Sequence, residues 1–98
     1  MFKREKDVEA RLVKAVRSLG GRAYKWVSPG NVGVPDRMVI WPGGDIEFVE
    51  LKTEVGRVSP IQEVQIKRLR GLGCKVHVLY GDADVDKFLD GRRGQNEL

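Results

Sequence analysis

The stretch "DRMVIWPGGDIEFVELK", residues 36–52, decides the fold. Two apolar runs flank Pro42-Gly43-Gly44, the strongest hairpin signal in the chain. Strand side chains alternate between faces, so Ile46 and Phe48 share one side and Val49 and Leu51 the other. Glu50 and Lys52 continue the side that Ile46 and Phe48 begin, placing an acid and a base where core residues are expected to point. With a three-residue Pro42-Gly43-Gly44 loop, Trp41 stands opposite Asp45, and counting inward sets Asp36 directly across from Glu50. Opposed residues project to one face with Cβ atoms roughly 5 Å apart, and Lys52 is then a diagonal neighbour of Asp36. A two-residue Gly-Gly turn would shift the register by one and separate Asp36 from Glu50. We favour the three-residue loop, with a glycine in the left-handed position.

Two carboxylates side by side raise each other's pKa unless positive charge comes between them. A hard divalent cation suits that role, because Mg²⁺ takes oxygen ligands from one or two carboxylates, water and phosphate oxygens. Such an ion polarises a phosphoryl group and lowers the pKa of its bound water. Lys52 can orient the attacking water or stabilise developing negative charge. Asp36, Glu50 and Lys52 therefore form a chemically sufficient set for phosphodiester hydrolysis. Taken singly, a Glu-x-Lys on a strand is commonly a solvated face, and Asp36 after Pro35 is commonly a turn residue. Their joint placement at matched depth on adjacent strands favours the catalytic reading.

Outside the hairpin, Val8, Leu12, Val16 and Leu19 recur at helical spacing from about Arg4 to Ser18, ending at Gly20-Gly21. "RAYKWV" (22–27) reads as a strand, followed by the loop "SPGNVGVP". Ser59-Pro60-Ile61-Gln62 opens a second helix with a capping box, and Gly71 or Gly73 closes it. Cys74 reads as a small core residue at the start of the strand "CKVHVLY", and "ADVDKFLD" as a short closing helix. The order is αβββαβ followed by α: an α/β domain with a mixed central sheet flanked by helices. Residues 1–90 form the single domain and 91–98 a flexible polar tail.

The 98 residues carry 18 Lys+Arg against 14 Asp+Glu, a net charge of +4 and a mild tilt toward polyanions. One cysteine and one histidine exclude an intramolecular disulfide and cysteine- or histidine-rich metal sites. The charged start "MFKREKDVEA" has no apolar signal-peptide core, and no run is long enough to span a membrane. A cytoplasmic, non-secreted setting is expected.

"GVPDRMVI" followed by "FVELK" resembles the PD-(D/E)XK nuclease signature. The added spacings G-x-PD, E-L-K-x-x-x-G-x-x-S-P-x-Q and L-x-x-x-G-x-x-V resemble the VRR-NUC (virus-type replication-repair nuclease) domain in its stand-alone phage or bacterial form, from about Asp7 to Leu89. The resemblance implies a restriction-endonuclease-like fold and endonuclease activity with Mg²⁺ or Mn²⁺. By matching positions it implies metal ligation by Asp36, Glu50 and the Leu51 carbonyl, with Lys52 as base or electrostatic helper. It also implies an acid from the first helix, directly or through water. Glu9 fits because it shares a face with Leu12, Val13 and Val16; Glu5, one turn earlier, is the competing choice. Gln62 matches the family's helix glutamine beside the catalytic centre, a role compatible with capping.

Stand-alone members resemble Holliday-junction resolvases acting as homodimers on branched double-stranded DNA, with no small-molecule cofactor. The chain is expected to carry no further domains and to act alone or as a dimer. Lys25, Asn31, Arg37, Arg57 and Lys67 are candidate DNA contacts, with the segment from Pro29 to Val34 as a substrate loop. Val85, Phe88 and Leu89 of the closing helix, and exposed apolar residues of the strands, are candidate dimer-interface residues. Trp26 and Trp41 read as packing residues, and His77 as a strand residue without catalytic work. The competing functions are a flap or nicking nuclease on other branched DNA, and a non-catalytic DNA-binding module on the same fold.

Overall fold

The computed structural model describes residues 4–96, with side chains through residue 93. Its elements are α1 (Glu5–Ser18), β1 (Arg22–Lys25), β2 (Arg37–Ile40), β3 (Ile46–Lys52), α2 (Pro60–Gly71), β4 (Val76–Tyr80) and α3 (Gly81–Asn96). The strands form one sheet in the order β1-β2-β3-β4. β1, β2 and β3 run antiparallel, and β4 joins β3 in parallel after the α2 crossover. This is the mixed α/β sheet that the sequence implied.

The hairpin has the three-residue loop. The Trp41 amide donates to the Asp45 carbonyl (2.8 Å), and the Gly44 amide donates back to the Trp41 carbonyl (3.0 Å). Gly43 and Gly44 both hold positive φ, 93° and 86°, a conformation that side-chain-bearing residues rarely adopt. Pairing then runs from Ile40↔Ile46 to Arg37↔Val49, so the next step outward brings Asp36 beside Glu50.

α1 lays Val8, Leu12 and Val16, spaced by four, against Ala23, Val39, Trp41, Val49, Leu51 and Leu79. Val85 and Leu89 of α3 complete this cluster and are fully buried. Both are therefore core residues and not interface candidates, while half-buried Phe88 packs on Trp41 and His77. The principal core lies on the Val49–Leu51 side of the sheet. The opposite side is thinner: Ile46, expected to pack, is 43% exposed, and Phe48 stacks on Trp26 with ring centroids 4.8 Å apart.

Three boundaries differ from expectation. Cys74 precedes β4, and its amide caps α2 by donating to the Leu69 carbonyl (3.0 Å). β1 ends at Lys25, although the Trp26 amide still reaches the Asp36 carbonyl (2.9 Å). Residues 91–96, expected to be a loose tail, continue α3. The reason is Arg92, which turns inward to bind Asp45, contacts Glu47 and lies 5.0 Å over the Trp41 ring. Residues 97 and 98 lie outside the described residues.

Candidate active site

Each piece of the candidate site has a local cause. Pro35 is fully buried and fixes the approach to β2. Asp36 then leaves the ladder: its Oδ2 accepts the Leu51 backbone amide at 3.0 Å. That bond ties the start of β2 to the end of β3 and holds the carboxylate beside Glu50. β3 carries Glu50 into the sheet at 1% exposure, and Lys52 follows on the same face, its ammonium 3.3 Å from Glu50 Oε2. Gly56 closes the turn after β3 by donating to the Thr53 carbonyl (3.1 Å). A Cβ on Gly56 would come within 3.2 Å of Lys52 Cβ, which accounts for the glycine four residues after the lysine.

Gln62 makes two sets of contacts at once. Its Oε1 accepts the Ser59 amide (2.9 Å) and its own amide donates to Ser59 Oγ (3.3 Å), a complete capping box. Its Nε2 meanwhile donates to Glu50 Oε2 at 3.1 Å. Oε2 of Glu50 thus has two donors, whereas Oε1 is buried with no partner. Burial pushes the Glu50 carboxyl up to about 7 from 4.5, the neighbouring Asp36 adds to the rise, and Lys52 opposes it. A deeply buried carboxylate oxygen without a donor costs roughly 1–3 kcal/mol or more, and a cation would relieve that cost.

A third acid completes the cluster. Carboxylate oxygens of Glu5, Asp36 and Glu50 all lie within 4.8 Å of one another. Oxygen-only donors of this charge fit a hard divalent cation. Glu9, the first choice in the sequence, does not join them; its carboxylate is taken by Arg37. Arg37 shares β2's α1-facing side with Val39 and so meets Glu9, whereas Asp36 turns the other way. Leu51 buries its side chain in the core and presents only backbone to the site.

The expected DNA contacts scatter. Arg37 is only 14% exposed, with one terminal nitrogen on Glu9 and the other on the Ala23 carbonyl (3.0 Å), so it supports the fold. Asn31 folds its amide back onto Ser28 Oγ (3.0 Å). Lys25 is exposed opposite Arg37 in the β1–β2 ladder, Arg57 is exposed in the loop before α2, and Lys67 is exposed on α2. The loop that carries Asn31 is pinned where it approaches α2. Gln65 Nε2 donates to the Val32 carbonyl (3.2 Å), and Gly33 (φ 92°) packs so closely that a Cβ would lie 2.9 Å from the Ile61 carbonyl oxygen.

Sequence reasoning missed Glu47, buried on the core side of β3. It accepts from the Trp41 indole (2.7 Å) and Arg92 (3.4 Å), and pairs with His77 (3.0 Å). The signal was present in the alternation itself, which places Glu47 on the side of Val49 and Leu51.

Comparisons with known proteins identify the family. The VRR-NUC domain model matches residues 2–83. The chain belongs to the VRR-NUC family. A solved VRR-NUC domain superposes on it with a TM-score of 0.83 at 34% identity, covering 88% of this chain and 94% of the other. A protein of Acyrthosiphon pisum secondary endosymbiont phage 1, named "Putative nuclease p44", is 50% identical over 76 residues, 78% of this chain and 82% of its own length. The VRR-NUC match includes every residue of the acidic cluster, together with Lys52 and Gln62.

Proposed function

We propose that this VRR-NUC domain is a divalent-metal-dependent, structure-selective DNA endonuclease that resolves four-way junctions as a homodimer. The observation that carries the catalytic part is the buried, donor-free Oε1 of Glu50 among the gathered carboxylates of Glu5, Asp36 and Glu50. Glu50 and Asp36 would hold Mg²⁺ or Mn²⁺, with Glu5 and the Leu51 carbonyl completing the shell. When bound, the ion would draw charge from the phosphoryl oxygens and make a nearby water easier to deprotonate.

The side chains supply the rest. Gln62 and Lys52 both engage Oε2 of Glu50, which leaves Oε1 without a donor. Lys52 stands where it can orient the attacking water and offset charge on the phosphorane-like transition state. Water adds to phosphorus, one P–O ester bond breaks, and the proton removed from water is delivered to the departing oxygen. A non-catalytic binding module would gain nothing from three acids facing a phosphate.

The branched substrate and the dimer rest on the likeness to stand-alone junction resolvases and on symmetry. Two matched incisions in a four-way junction need two sites related by a two-fold axis, which a homodimer provides. Exposed Tyr24 and Ile46, on the thinly covered side of the sheet, are among the apolar residues available for such an interface.

The test is incubation of labelled four-way junction, flap and linear duplex with Mg²⁺, Mn²⁺ or EDTA, with Asp36→Ala and Lys52→Ala as controls. Metal-dependent paired cutting of the junction, lost in both variants, is expected. Absence of metal-dependent cutting would overturn the catalytic reading. Preference for the flap would transfer the specificity to other branched DNA, and a sedimenting monomer that binds junctions singly would reject paired incision.

A further inference from the structure

A groove of about 390 Å³ runs along α1 beside Arg37 at the start of β2, and its polar lining is Lys6, Lys14, Arg17, Arg37 and Glu9. Four cations thus face one carboxylate, and that carboxylate is already committed to Arg37. Among the described residues, Lys6, Lys14 and Arg17 have no ion-pair partner. Arg17 also borders a second hollow with Arg22 and Tyr24, which extends the basic surface to the free edge of β1.

The arrangement on α1 is regular. Positions 6, 14 and 17 fall within one stripe of a 3.6-residue helix, and the stripe is roughly 16 Å long at 1.5 Å per residue. B-DNA carries a charge about every 1.7 Å of its axis, so a duplex laid along this stripe offers several phosphates to it. The groove and the acidic cluster meet on the first turn of α1, where Lys6 follows Glu5, while Arg37, next after Asp36, turns to the α1 side of the sheet. The acids alone would repel a polyanion; adjacent cations offset that repulsion and guide the backbone past them.

We infer that the groove along α1, beside the start of β2, is a second nucleic-acid contact that holds the phosphodiester backbone of a duplex arm leading away from the scissile phosphate. The inference rests on the DNA-nuclease reading above. It assigns backbone contacts to Lys6, Lys14 and Arg17 and removes Arg37 from direct competition for the scissile phosphate.

Binding of a labelled four-way junction in EDTA, measured by anisotropy across a salt series, tests it. Lys14→Gln/Arg17→Gln is compared with Arg68→Gln/Lys87→Gln, exposed cations of α2 and α3 that change net charge equally. The groove pair is expected to lose affinity about tenfold or more near 0.1 M salt, with a log K–log[salt] slope shallower by roughly 2. The control pair is expected to stay close to the parent protein. Equal losses in both pairs, or an unchanged slope in the groove pair, would overturn the inference. The two readings fail separately: a parent protein that cuts while the groove pair binds normally rejects the groove alone. Groove-dependent binding without any metal-dependent cutting rejects the nuclease and leaves the groove standing.

Discussion

Gln62 donates to Glu50 across 3.1 Å while also closing the capping box of α2. One side chain therefore couples the start of a helix to the orientation of a buried acid, and substitutions can separate the two roles. Ser59→Ala removes the cap and is expected to cost about 1 kcal/mol of stability with little loss of cutting at saturating metal. Gln62→Glu keeps a residue able to complete the cap but sets a second carboxylate against Glu50. It is expected to retain most stability yet lose activity by an order of magnitude or more. Denaturant titration alongside initial cutting rates distinguishes the pair.

Glu50 sits in a place that suits a bound cation and strains the free protein. Its folded pKa of about 7 lies above the ordinary 4.5, so between those values the folded state holds more protons than the unfolded one. The metal-free protein is therefore expected to lose stability as pH rises from about 4.5 to 7, by at most roughly 3 kcal/mol. Divalent-cation affinity should change the opposite way. It should rise with pH as Glu50 deprotonates and flatten above about 7, which calorimetric titration at several pH values would show.

Glu50→Gln removes that charge and leaves the shape. At pH 8 without metal, the variant is expected to melt several degrees higher than the parent, since about 1 kcal/mol moves the midpoint of a domain this size by roughly 4–8 °C. Its cutting rate is expected to fall at least a hundredfold. A variant that both melts lower and cuts normally would show that Glu50 is an ordinary buried acid.

Glu5 and Glu9, one turn apart, should respond differently. Glu5→Gln is expected to weaken metal-dependent cutting with little change in stability, because Glu5 is exposed and belongs to the acidic cluster. Glu9→Gln leaves the nearly buried Arg37 without its carboxylate and is expected to cost about 1–3 kcal/mol, with cutting preserved in the folded fraction. Thermal melts and metal titrations of cutting separate the outcomes.

Much of this was legible because the deciding contacts are local or periodic. The Pro42-Gly43-Gly44 loop and strand alternation placed Asp36 by Glu50, and Ser59 with Gln62 announced the helix start. What stayed hidden depended on how helices lie across the sheet. The choice of Glu5 over Glu9 turns on the crossing of α1, which helical spacing does not encode. Arg92 gave residues 91–96 an anchor only once α3 was docked, so composition alone read them as loose. Ile46 misled because apolar alternation marks a face without saying whether anything covers it.

Gly33 offers a stringent check on the approach to β2. Gly33→Ala would force a Cβ to within 2.9 Å of the Ile61 carbonyl oxygen at a φ of 92°. It is expected to cost about 2 kcal/mol or more and to displace Asp36, lowering both the melting midpoint and the cutting rate.

The bond from the Leu51 amide to Asp36 spans 15 positions of sequence and lies wholly inside one hairpin. Hairpins of this kind close in about 1–10 μs, long before distant segments find each other. The paired acids of β2 and β3 can thus meet early during folding, whereas Glu5 and Gln62 arrive only when their helices dock. A cation present during refolding would find three of its four proposed ligands, Asp36, Glu50 and the Leu51 carbonyl, in place at the outset, and metal-accelerated collapse of the hairpin is the kinetic signature to seek.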